Sequence, residues 1–183
     1  MNVLEAVQAL RDGKVVVAPT DTVYGLLADA TNEEAVGRVF DMKGREKGKA
    51  LPVFVRDIEM AKELAYISAE QERFLNKNWP GKVTAVLESK HVLSKALEMG
   101  GKIALRIPEY DLVKDILEKL GHPVTGTSAN VSGQPSCSSA EEMIEQFKER
   151  ELQPDLVLDA GKLPDSDPST VIDITTETKK VLR

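Results

Sequence analysis

Cysteine is almost missing from this sequence. Cys137 is the only one, so no disulfide can close within the chain. Histidine is nearly as scarce, with His91 and His122 alone, and a zinc site built from Cys and His is excluded by count. Aromatic residues make up 4% of the chain. That removes a stacking platform for single-stranded nucleic acid and leaves the core to Val, Leu, Ile and Ala. An excess of positive charge is also missing, since the formal net charge is -6. Proteins that wrap DNA or RNA are usually basic overall, so a polyanion site here has to be a local cluster, and membrane-surface binding is disfavoured. No apolar run is long enough to span a membrane. The opening Met1-Asn2-Val3-Leu4-Glu5 lacks the basic and apolar regions of a signal peptide, so a cytoplasmic location is expected.

What is present suits a globular protein. The 183 residues are 42% hydrophobic and 30% charged, which fits one compact domain over 1–183. Short apolar runs alternate with amphipathic segments, an α/β pattern. Asn2 can cap a helix that carries Val3, Leu4, Val7 and Leu10 and ends at Gly13. Strands are predicted at 14–18, 51–55, 82–87, 102–106, 156–158 and 170–174. Helices are predicted at 32–42, from Ser68 toward Asn78, at 109–120 and from Ser139. Ser68-Ala69-Glu70-Gln71 reads as a capping box. Residues 161–168, rich in Pro and Asp, are the nearest thing to a linker.

Four polar clusters end or interrupt apolar strands, where α/β proteins bind ligands. The first is Pro19-Thr20-Asp21-Thr22-Val23-Tyr24-Gly25-Leu26, which is equally readable as a well-capped turn. The second, Lys43-Gly44-Arg45-Glu46-Lys47-Gly48-Lys49, puts four cations just after a helix. It is either a solvated helix end or an anion clamp; it lacks the spacing of a P-loop. The third is Arg106 at the end of an apolar strand. A buried charge needs a partner, and a structural carboxylate or a ligand would serve. The fourth is Thr125-Gly126-Thr127-Ser128-Ala129-Asn130-Val131-Ser132-Gly133, either a flexible turn or a cradle of backbone N–H groups for an anion. No Ser-His-Asp or Cys-His constellation stands out. Cys137 reads as a small buried thiol and His91 as a surface residue.

In order and spacing these clusters, with Trp79-Pro80-Gly81-x-Val83-Thr84, Ala104-Leu105-Arg106-Ile107-Pro108 and Ser169-Thr170-Val171-Ile172-Asp173, resemble the YrdC family of L-threonylcarbamoyladenylate synthases. The resemblance implies an α/β fold, a twisted mixed sheet with helices surrounding a large positive cavity. It implies a nucleotidyltransferase that makes threonylcarbamoyl-AMP and pyrophosphate from L-threonine, bicarbonate and ATP. The product would feed a downstream tRNA threonylcarbamoyl transferase machinery. Carried over by residue, Thr22, Arg106 and Ser128 would hold L-threonine. Arg45, Lys49, Asn130, Ser138, Ser169 and Arg183, with Lys102, would contact ATP. Lys43 and Arg45, with Ser128 and Asn130, would form the catalytic core. Magnesium would accompany ATP, and neither protein-bound zinc nor an organic cofactor is implied.

The sequence departs from the family pattern in four places. Phe54 stands where some relatives have His, Glu46 and Lys82 stand where Pro is usual, and Arg183 falls on an abrupt, potentially mobile tail. Two other readings remain at this point. One is a double-stranded RNA-binding module; the other is a paralogous enzyme that transfers a carbamoyl or adenylyl group using another substrate.

Overall fold

A computed structural model of the chain describes residues 2–46 and 49–183. Helix α1 (Val3–Arg11) starts at Asn2, whose side chain accepts a hydrogen bond from the Glu5 amide, and turns Ala6, Val7, Ala9 and Leu10 inward. Strand β1 (Val16–Pro19) pairs antiparallel with β2 (Tyr24–Leu27). The polar cluster expected over Pro19–Leu26 is shorter in the structure: all four β2 residues are buried, and the polar turn is confined to Thr20–Val23. Helix α2 (Glu33–Lys43) is capped by Asn32 and stopped by Gly44 in the left-handed conformation.

Strand β3 (Val53–Phe54), helix α3 (Ile58–Leu64), strand β4 (Ala65–Tyr66) and helix α4 (Ala69–Asn78) follow. The expected capping box is present at the start of α4, with Ser68 and Gln71 bonded reciprocally. Next come β5 (Val83–Ser89), a 3-10 turn (Lys95–Leu97), β6 (Glu98–Met99) and β7 (Lys102–Arg106). Helix α5 (Asp111–Leu120) ends at Gly121, again left-handed. The expected polar loop after Val124 contains two short strands, β8 (Val124–Thr125) and β9 (Thr127–Ser128). Helix α6 (Ala140–Phe147), β10 (Leu156–Val157), β11 (Thr170–Asp173) and β12 (Lys180–Val181) complete the chain.

The strands form two sheets. The smaller runs β10-β1-β2-β9; the larger runs β12-β11-β5-β7-β3-β8, with β4 added to β5 and β6 to β7. Both are mixed, with parallel pairs at β1–β10, β3–β7 and β5–β11. Strand periodicity divides β1 between two cores. Val15 and Val17 belong to the larger core with α2, whereas Val16 and Ala18 meet Leu10, Val113, Ile116 and Leu117 from α1 and α5. With both faces covered, the run is apolar throughout.

Gly126 alone separates β8 in the large sheet from β9 in the small one. A Cβ there would stand 2.4 Å from the Phe54 ring, so only glycine fits this crossing.

The larger sheet has one core face and one cavity face. Ala85, Leu87, Ile103 and Leu105 are buried in the core. Their alternates Thr84, Val86, Lys102, Ala104 and Arg106 line the opposite side, joined by Val171 and Asp173 from β11. Register makes this continuous, since Val86 opposes Ala104 and is flanked by Asp173. Against the expected mobile tail, residues 180–183 are tied down. β12 pairs with β11, the Val171 amide donates to the Arg183 carbonyl and the Leu182 amide to the Val171 carbonyl. Among the described residues no helix is long and apolar enough to cross a membrane.

Candidate functional site

A cavity of ≈ 660 Å³ lies between the two sheets. Strands β2 and β9 and the turn before β2 form one wall, and β5, β7 and β11 form the other. Among the described residues five cations line it: Arg45, Lys49, Lys102, Arg106 and Arg183. Among the described residues Asp173 is its one lining carboxylate.

The Thr20–Val23 turn is self-supporting. Thr20 Oγ1 donates to the Val23 carbonyl at 2.7 Å and accepts from the Thr22 amide at 3.1 Å. Thr20 is therefore a turn former. Thr22 lines the cavity with its Oγ1 3.1 Å from Thr20 Oγ1. Asp21 turns away and supplies the partner that Arg106 requires. Arg106 Nη2 donates to Asp21 Oδ2 at 2.6 Å, with the two side chains only 4% and 8% exposed. Arg106 Nε donates to the Gly81 carbonyl at 2.9 Å, and its guanidinium lies 5.8 Å from the Phe54 ring centroid. Of the two partners left open by the sequence, the structure shows the structural carboxylate.

Arg45 and Arg183 are held differently. Arg45 donates to the Lys49 and Ala50 carbonyls at 2.8 and 3.0 Å. Arg183 donates to the Ser169 carbonyl at 3.3 Å, and Ser169 Oγ lies 3.0 Å from Thr84 Oγ1. Burial lowers the pKa of both Arg45 and Arg106. Arg183 pushes in the same direction on each, so the three guanidiniums share one field. Lys102 donates to Asp173 at 2.8 Å. Burial opposes ionisation of Asp173, but Lys102 and Thr175 outweigh it and hold the carboxyl below the usual range. Lys49, 64% exposed, pairs with Glu46 at 2.9 Å, so the acid that departs from the family pattern neutralises a cation. Lys47 and Gly48, part of the same cluster, lie outside the described residues.

Lys43 and Asn130 do not line the cavity. Lys43 is 2% exposed. Its Nζ donates to the Ser128 carbonyl at 2.5 Å, the Asn130 carbonyl at 2.8 Å and Asn130 Oδ1 at 3.0 Å. Ser128 Oγ donates to the same Asn130 Oδ1 at 2.6 Å, and Asn130 Nδ2 donates to the Gln134 carbonyl at 2.6 Å. The ammonium thus pins the Ser128–Asn130 loop from behind, leaving Ser128 on the cavity wall. Burial, with Arg45 adding to it, pushes Lys43 down to about 8.

Ser138 lies elsewhere. It faces an adjoining pocket of ≈ 530 Å³ beside Glu142, Glu145 and Asp165. Its amide donates to Glu142 Oε2 at 2.7 Å and its hydroxyl points at the same carboxylate. That setting is acidic because Ser138 precedes the α6 cap, where carboxylates favour the helix N-terminus. Cys137 is fully buried and its thiol is pushed up to about 11, chiefly by burial. A resting thiol of that kind is no nucleophile.

Sequence reasoning gave no role to three residues that shape the site. Asp21 and Asp173 both sat inside the matched motifs, so the signal was present. Tyr24 is fully buried; it donates to the Gly161 carbonyl at 2.7 Å and accepts from the Ala160 amide at 2.9 Å. It anchors the start of the 161–168 segment, from which Ser166 and Pro168 reach the cavity.

Comparison with known proteins places the sequence and the fold. The family model Sua5_yciO_yrdC, described as "Telomere recombination", matches residues 8–183. A threonylcarbamoyl-AMP synthase of Pyrococcus abyssi is 36% identical over 168 residues, covering 91% of this chain and 48% of that protein. One from Vibrio vulnificus is 35% identical over 151 residues, covering 80% of this chain and 81% of that one. The crystal structure of P. abyssi Sua5 complexed with L-threonine superposes with a TM-score of 0.92 at 34% identity, over 99% of this chain and 53% of that one. The chain therefore spans about half the length of its Pyrococcus relatives. From residue 8 to the last residue, in sequence and in fold, it belongs to the Sua5/YciO/YrdC family.

Proposed function

We propose that this chain is an L-threonylcarbamoyladenylate synthase, joining L-threonine, bicarbonate and ATP into threonylcarbamoyl-AMP and pyrophosphate for tRNA modification. The observation that carries this is the placing of Arg106 opposite Thr22 and Ser128, in one cavity with Arg45 and Arg183. The names of the P. abyssi and V. vulnificus relatives, and the L-threonine in the P. abyssi complex, support it.

The chemistry asks for two anions to meet. The threonine amine attacks bicarbonate and, with loss of water, becomes a carbamate. A carbamate oxygen then attacks the α-phosphorus of ATP, and the bond to pyrophosphate breaks. No protein nucleophile is needed. Arg106 offers unused guanidinium N–H groups to the threonine carboxylate. Thr22 and Ser128 supply hydroxyls beside it. Arg45 and Arg183, with Lys49, Lys102 and Ser169, face the phosphates and offset the repulsion between carbamate and triphosphate. Lys43 and Asn130 act from behind by fixing Ser128. Magnesium fits as a companion of the triphosphate, not as a protein-held ion. Among the described residues no group of three His, Cys, Asp or Glu converges, and Asp173 is the one carboxylate available in the cavity.

Duplex RNA is the weaker reading. These cations face the inside of a cavity, not a surface along which a phosphate backbone could run. Pyrophosphate release from ATP and magnesium tests the proposal. Release that needs both L-threonine and bicarbonate supports it. Release indifferent to threonine points to another substrate, and its absence overturns the reading.

A further inference from the structure

We infer that Asp21 is a specificity-determining residue, acting through Arg106 to keep that end of the cavity for a singly charged carboxylate and closed to phosphate. The inference rests on the reading that Arg106 receives an amino-acid carboxylate.

The cavity's cations are not equivalent. Arg45 and Arg183 hydrogen-bond only to carbonyl and hydroxyl oxygens among the described residues, so their charge is uncompensated. Lys49 and Lys102 are paired with carboxylates, but each is at least a third exposed and so screened by water. Arg106 alone belongs to an ion pair sealed on both sides. Out of water, the charge of Asp21 is screened less than that of the exposed carboxylates, and it offsets part of the positive field of Arg106. A carboxylate can still use the guanidinium's remaining N–H groups, since no hydrogen bond occupies Nη1. A phosphate carrying two negative charges would meet the same donors with a buried anion directly behind them.

A second observation separates this from a merely structural ion pair. Asp21 Oδ2 is doubly used, by Arg106 and by the Glu109 amide at 3.1 Å. Asp21 Oδ1 is buried and has no hydrogen-bond partner. Arginine–carboxylate pairs are frequently bidentate, and this one uses a single oxygen. Here one oxygen is left unsatisfied, at a cost in stability. What the site retains in exchange is undiluted negative charge behind Arg106. Asp21 does not itself line the cavity, so it is a positioning residue and not a catalytic one.

The test is calorimetric titration of L-threonine, with and without inorganic phosphate, into the wild-type chain and Asp21→Asn. The fold of each is checked by circular dichroism. In the wild type, threonine binds with the same affinity whether or not phosphate is present. In Asp21→Asn, threonine still binds, and phosphate now competes with it, lowering the apparent threonine affinity about tenfold or more at saturating phosphate. A structural role alone would lower the melting temperature without creating that competition. Wild-type binding of threonine with no competition in Asp21→Asn overturns the inference and leaves the synthase reading intact. Failure of the wild type to bind threonine removes the reading on which both stand. Should Asp21→Asn not fold, Asp21→Glu and the wild type decide, because phosphate competing with threonine in either charge-bearing protein overturns the inference.

Discussion

The two walls of the cavity are built on different principles. The wall from β5, β7 and β11 is a regular pleat in which Lys102, Ala104 and Arg106 face the ligand space because they alternate with Ile103 and Leu105. The opposite wall is irregular and held by side chains. Thr20 folds its own turn, and Lys43 reaches from the end of α2 to grip the Ser128–Asn130 loop. A pleated wall keeps its shape when one side chain changes, because the backbone ladder sets it. A pinned wall loses its shape with its pin.

Substitutions at four positions and one titration sharpen that contrast. The largest effect on stability is expected for Arg106→Ala, which strands Asp21 as an unpaired buried charge. Thermal denaturation should show a loss of about 3–5 kcal/mol, and Arg106→Lys should recover part of it while leaving threonine binding weak. Lys43→Met takes one donor from each of three oxygens of the opposite wall and leaves the Asn130 carbonyl without its ammonium partner. Pyrophosphate release should fall roughly 100-fold, the scale of a displaced site residue, with a loss of roughly 1–3 kcal/mol in stability. If Lys43→Met keeps activity while Arg106→Ala abolishes it, the pinned wall is not a pinned wall. Gly126→Ala strikes the crossing between the two sheets. Its methyl group would overlap Phe54, and about 1–3 kcal/mol should be lost in chemical denaturation. Lys49→Ala should be the mildest, leaving the melting temperature unchanged because its pair with Glu46 is exposed.

The titration concerns Lys43. Its folded pKa of about 8 lies below the unfolded 10.5, so the unfolded chain binds more protons between those values. The contribution of this group to stability therefore rises from pH 8 to 10.5. Activity should move the opposite way, falling above pH about 8 as the third donor of the pin is lost. Lys43→Arg, if active, should shift that alkaline limb upward.

The same contrast explains what the sequence made legible. The pleated wall was readable, since Arg106 stands at the end of an apolar run and Lys102–Arg106 came out at the observed bounds. Helix caps at Asn2, Ser68 and Ser139 were readable too, because capping is local chemistry. The two-residue strands β8 and β9 were not, since their pairing is with β3 and β2, distant in sequence. Nor was the position of Lys43, which resembled its exposed neighbour Lys49 in the same basic run. Only the acceptors at Ser128 and Asn130, some 85 residues away, make it a buried pin. The position of Ser138 was not readable for a related reason. Its carboxylate neighbour Glu142 is visible in the sequence, but that their pocket adjoins the cationic cavity and does not belong to it is not.

Strand β12 carries a kinetic consequence. Its two residues are exposed, it is short, and it sits at the edge of the larger sheet, yet Leu182 and Arg183 beyond it form part of the cavity wall. Segments with few buried contacts open far more often than the core they lean on. Amide hydrogen exchange at Leu182 should then be orders of magnitude faster than at Leu105 in the empty protein. It should slow when a triphosphate bridges Arg183 to Arg45, so that occupancy of the cavity is recorded as a protection factor at the molecule's outer edge.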